Sequence, residues 1–146
     1  MYSTAYSSSG SAAFGARAAY TDNSVATASP ARLLVMLMDR LVLDVERGLA
    51  ALDTGAHDEM HRNLVHAQDI VVELEVSLDV RAMPAGQQLA ALYEYLRGRL
   101  VQANVRRDQV ACREALDLAK ELADMWRQAA LAAVSTGTGL GSGASQ

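Results

Sequence analysis

Residues 29–52 read SPARLLVMLMDRLVLDVERGLAAL. Ser29 followed by Pro30 is a helix start. The serine hydroxyl accepts a bond from a free backbone N–H, and proline at the first helical position loses no hydrogen bond. Leu34, Leu37, Leu41, Val45, Leu49 and Leu52 then recur every three or four residues, which places them on one helix face. From Leu33 to Val45 every position is apolar except Asp39, Arg40 and Asp44. A helix packed on one core needs only three or four apolar residues in seven. This helix is therefore the most enclosed element of an all-helical protein.

The same period runs outward from it. A short connection from Asp53 to His57 holds Gly55, and a second helix follows with Met60, Leu64, Ala67, Val71, Leu74 and Leu78 on one face. Pro84 and Gly86 interrupt the chain. A third helix carries Leu89, Leu92, Leu96, Leu100 and Ala103. Val105 to Arg107 is a tight corner, with Asp108 placed to cap a fourth helix bearing Cys112, Leu116, Ala119, Ala123, Trp126, Ala130 and Ala133. Four helices of about 20 to 25 residues are each roughly 30 to 38 Å long. Short loops make sequential neighbours antiparallel, so the expected fold is all-α, an up-down-up-down four-helix bundle. The bundle spans 29–134, between an N-terminal arm (1–28) and a flexible Gly/Ser tail (135–146, STGTGLGSGASQ). The arm holds Tyr2, Tyr6 and Tyr20, and is read either as a plain tail or as an arm that docks its tyrosines.

The chain has 146 residues and 15.6 kDa, the size of one domain. Its 51% hydrophobic content supports a core. Thirteen basic against 17 acidic residues give a net charge of -4, which argues against a general nucleic-acid binder. Cys112 is the single cysteine, so an internal disulfide is excluded and a reducing compartment is expected. Residues 1–20 lack the apolar core of a signal peptide, and no apolar run approaches the length of a membrane span. A cytoplasmic location is the expectation.

The chain carries more apolar surface than four helices need. The second helix has a further stripe of Val65, Val72, Val76 and Val80, and the third adds Tyr93, Val101 and Val105. Such a stripe fits a dimer interface or a groove for a partner's amphipathic helix. Catalytic patterns are weak by comparison. His57 and His61 stand one turn apart, but Asp58 occupies the place where a zinc protease needs glutamate. Asp58 and His61 also resemble one step of a carboxylate metal bundle, whose remaining ligands are missing because the third and fourth helices have no histidine. Cys112 lies on a core face with no histidine near it in sequence. Arg97, Arg99, Arg106 and Arg107 cluster at the end of the third helix, where cations complement the helix dipole or meet an acidic partner. No metal, cofactor or catalytic residue is expected.

Four stretches together are specific. They are YTDNSVATASPARLLVMLMD (20–39), HAQDIVVELEVSLD (66–79), LAALYEYLRGRLVQAN (89–104) followed by Asp108, and ADMWRQA around Trp126. Over about residues 20 to 130 they resemble, in order, the bacterial flagellar secretion chaperone family FliS. Met38 stands where that family usually has an aromatic, Arg40 where it has glycine, and Met83-Pro84-Ala85-Gly86 replaces a Gly-Gly turn.

The resemblance implies a non-enzymatic cytoplasmic export chaperone. It implies binding to the C-terminal segment of flagellin as a 1:1 complex of a monomer, prevention of early polymerisation, and presentation to the type III export apparatus through the gate protein FlhA. The extra stripe then becomes the client groove: Val65, Val72, Val76, Tyr93 and Val101. Tyr20 and Val25 in the arm become a lid over the empty groove. The rivals are a helical homodimer that buries the stripe against itself and a metal bundle on Asp58 and His61.

Overall fold

The computed structural model describes residues 29–144. Four helices follow one another: α1 (Pro30–Thr54), α2 (His57–Ser77), α3 (Gly86–Arg106) and α4 (Gln109–Ala144). The Ser29 hydroxyl accepts from the Arg32 N–H at 3.2 Å, with Pro30 opening α1. At its other end Gly55 takes φ 77, a left-handed conformation. Ala56 N–H bonds back to Ala51 O and Gly55 N–H to Leu52 O, which closes a Schellman cap.

Asp58 and Glu59 lie in the first turn of α2 and complement its dipole. Between α2 and α3, Asp79 Oδ1 accepts from the Arg81 N–H, and Gly86 N–H bonds to Met83 O. A Cβ at Gly86 would stand 2.3 Å from the Val80 carbonyl oxygen, so this turn requires glycine. The corner after α3 is Arg107 at φ 52, followed by Asp108, whose Oδ1 accepts from the Ala111 N–H at 3.1 Å and caps α4. The backbone of α4 is helical through Ala144.

Each helix packs on its two neighbours, so α1, α2, α3 and α4 close into a ring with α4 back against α1. Cross-helix pairs fix the directions. Asp39 meets Arg127 at 2.6 Å and Asp53 meets Arg113 at 3.5 Å, so numbers rise along α1 as they fall along α4. His61 with Asn104 and Glu75 with Arg97 show the same reversal between α2 and α3. The fold is an antiparallel four-helix bundle.

Its core draws Met38, Leu41 and Val45 from α1, Leu64, Ile70 and Leu74 from α2, and Tyr93, Leu96 and Leu100 from α3. From α4 it takes mostly small residues, Ala111, Cys112, Ala115 and Ala119. Each large side chain stabilises by about 1.5–3 kcal/mol. A Cβ at Gly48 would come within 2.5 Å of Leu64, so glycine permits the close crossing of α1 and α2.

Candidate functional site

Val72, Val76 and Val101 are 45%, 81% and 40% exposed, as a stripe beyond the core requires. Val65 is half-buried. Their positions follow from the polar contacts between α2 and α3. Val65 lies one turn after His61, whose Nδ1 meets Asn104 Oδ1 at 3.1 Å. Val72 lies one turn before Glu75, which accepts from Arg97 Nε at 2.6 Å. Val101 lies between Arg97 and Asn104, one turn from each. The valines therefore border the α2–α3 seam from both sides. Glu75 also holds the Arg97 guanidinium in its charged form, raising its pKa through a hydrogen bond and the opposite charge.

Tyr93 departs from the expected stripe. It is 1% exposed and belongs to the core. The reason is positional: Tyr93 stands one turn after Leu89 and one turn before Leu96, on the buried face of α3. Leu92, expected on the core face, is exposed instead. Trp126 Nε1 donates to the Tyr93 hydroxyl at 3.0 Å, joining α4 to α3. Burial raises the Tyr93 pKa, and the bond from Trp126 opposes that shift.

At one end of the bundle lies an open pocket of about 250 Å³, lined among others by Leu34, Leu74, Leu78, Met83, Tyr93 and Trp126. Ser77, at the last position of α2, also lines it. Leu34 is on the second turn of α1, so residues 1–28 join the bundle at this end. The expected lid residues Tyr20 and Val25 lie outside the described residues.

The rival chemistries find no support in the geometry. Among the described residues no three His, Cys, Asp or Glu side chains are grouped to hold a metal ion. His61 is exposed and faces Asn104. Cys112 is fully buried, and burial followed by the nearby Asp53 charge pushes its thiol up to about 11. That is the opposite of an activated nucleophile.

One group escaped the sequence reading. Asp44 is a buried carboxylate on α1, bound by Nδ1 of His66 on α2. Arg40 Nε lies 3.1 Å from its other oxygen. The signal was present in part, because Asp44 sits between the core positions Leu41 and Val45 with Arg40 one turn before it.

Comparison with known proteins agrees with this architecture. The family model described as "Flagellar protein FliS" matches residues 13–133. The flagellar secretion chaperone FliS of Bacillus subtilis (strain 168) is 32% identical over 111 residues, covering 76% of this chain and 83% of that one. The FliS of Escherichia coli (strain K12) is also 32% identical, over 112 residues, covering 75% and 82%. A crystal structure of a bacterial flagellar chaperone superposes with a TM-score of 0.63 at 19% identity, over 80% of this chain and 95% of that one, and shows the shared fold. The fold and these relatives define a helical-bundle chaperone of flagellar secretion, a class without catalytic activity. The chain belongs to the FliS family.

Proposed function

We propose that this chain binds the C-terminal segment of flagellin in the cytoplasm, keeps it from polymerising, and presents it to the flagellar type III export apparatus. The observation that carries the reading is the row of exposed valines, Val72, Val76 and Val101, beside the α2–α3 seam of a FliS-family bundle. A client segment that orders on binding must bury a large apolar area to offset the entropy it loses. A groove along two helices of 21 residues each supplies length for that. Val65 completes it on the α2 side. Tyr93 contributes from below, as support for the pocket wall.

The free protein is a monomer and takes flagellin 1:1. Tyr20 and Val25 cover the groove until flagellin displaces them. What supports this is that α1 begins at the end of the bundle that holds the pocket. Delivery requires no chemistry in this reading, only competition for the client at the export gate, with FlhA as the receiving protein. Light scattering of purified flagellin induced to polymerise tests the function. An equimolar amount of this chain should suppress filament growth, and growth at the uninhibited rate would overturn the reading.

A further inference from the structure

The structure sorts the four arginines near the end of α3 into two kinds. Arg97 is paired with Glu75, and Arg99 lies over the Tyr95 ring, 6.0 Å from its centroid. Arg106 and Arg107 are exposed and make no ion pair among the described residues. The acid beside them, Asp108, is engaged by the Ala111 N–H and by Gln102. Two large apolar side chains flank the pair: Val105, 74% exposed, and Val110, 75% exposed.

A cation at the last turn complements the dipole of α3, which accounts for Arg106. It does not account for two solvent-facing valines, which are poorer helix formers than the alanine or charged residues an exposed surface favours. We infer that the α3–α4 corner, with Arg106 and Arg107 between Val105 and Val110, is a second docking surface, for an acidic amphipathic segment of a partner protein.

Charge decides the occupant. Arg106 and Arg107 are exposed cations without an ion pair among the described residues, on a chain of net charge -4. The chain's own ends do not complement it: residues 1–28 contain one acid, Asp22, against Arg17, and residues 136–146 contain no charged residue. Two arginines on an acidic protein are a thin footprint for a nucleic acid or an anionic membrane, which reward a broad basic field. A short peptide with acidic groups beside apolar ones matches both halves of the patch, since exposed arginines also offer bidentate bonds to carboxylates. The corner lies at the end of the bundle marked by His61–Asn104 and Asp53–Arg113, opposite the pocket where the arm joins.

The test uses the full chain and a fluorescein-labelled helical peptide of about 15 residues, glutamate on one face and leucine on the other. Its twin carries lysine for every glutamate. Fluorescence anisotropy is read at about 50 mM and about 300 mM salt, which separates screened charge from apolar contact. The acidic peptide should bind the wild type, weaken at the higher salt, and weaken by at least about tenfold in the Arg106→Glu, Arg107→Glu variant. Val105→Ser with Val110→Ser should weaken it by about threefold or more. Circular dichroism should show both variants folded, and the charge-reversed variant should retain flagellin binding. Failure of the acidic peptide to bind, equal binding of the lysine twin, or undiminished binding by either variant overturns the proposal. So does loss of flagellin binding in the charge-reversed variant, which would merge the corner with the client groove. A self-association, or binding to phosphatidylserine vesicles, that is lost in that variant while peptide binding is undiminished would assign the corner to a second copy or to a lipid surface instead.

Discussion

Asp44 on α1 and His66 on α2 meet inside the helix interface, with the carboxylate 1% exposed and the imidazole Nδ1 bound to it. The contact does for α1 and α2 what leucine layers do elsewhere in the bundle, with the difference that its two halves depend on each other. Without His66 the buried carboxylate keeps only the half-exposed Arg40, so much of its cost of leaving water is left uncompensated.

Replacing His66 with alanine should therefore destabilise the protein by about 2–3 kcal/mol, more than the loss of one exposed hydrogen bond. The double change Asp44→Leu, His66→Leu should recover most of that loss, because an apolar pair of similar volume needs no compensation. Urea denaturation of the wild type, both single variants and the double variant measures the coupling. Additive single effects would show that the two residues act separately.

Tyr93 and the valines should separate cleanly into fold and function. Tyr93→Ala empties a core position and should cost about 3 kcal/mol, while Tyr93→Phe loses only the bond from Trp126, about 1 kcal/mol. Val72→Asp with Val76→Asp should instead leave helical content and melting temperature nearly intact and abolish flagellin binding. A collapse of the fold in the valine variant would move the groove elsewhere.

Asp108 gives a pH signature. The Ala111 N–H, then Gln102, hold its carboxyl below the ordinary value of 3.8. A depressed acid stabilises the fold above its unfolded pKa, and that contribution is lost as pH falls through the folded value. Asp108→Ala should thus lower the melting temperature at pH 7, and the charge-linked part of the difference should fade only below about pH 4. A difference that stays constant down to pH 2 would assign the effect to helix propensity alone.

Much of this architecture was legible in the residues. Ser29-Pro30, Gly55 and Asp108 each act as the helix signal their chemistry suggests, because caps depend on a few local atoms. The 3–4 spacing of apolar residues located the core faces of α1 and α2, and on α4 it found Cys112, Ala119 and Ala123. Leu92 and Tyr93 were exchanged because the two are adjacent, and hydrophobicity alone does not tell which one the bundle rotates inward; the positions of Leu89 and Leu96 do. Asp44 was missed because its partner comes from another helix, and no local pattern announces a histidine across an interface.

The arm supplies a prediction about affinity. If Tyr20 and Val25 occupy apolar surface in the free protein, flagellin competes with them, and two partly buried side chains are worth about 1–3 kcal/mol before the cost of ordering the arm. Deleting residues 1–24 should tighten flagellin binding by around tenfold, chiefly through faster association, as stopped-flow fluorescence would record. Unchanged or weaker binding would make the arm a passive tail or a part of the client site.

Calorimetric titration of this chain into monomeric flagellin tests the central claim most directly, with full-length flagellin compared against flagellin truncated at its C-terminal segment. Full-length flagellin should bind 1:1 with a negative heat-capacity change from buried apolar area, and truncated flagellin should give no binding heat. Equal binding of the two forms, or no binding of either, would contradict the account.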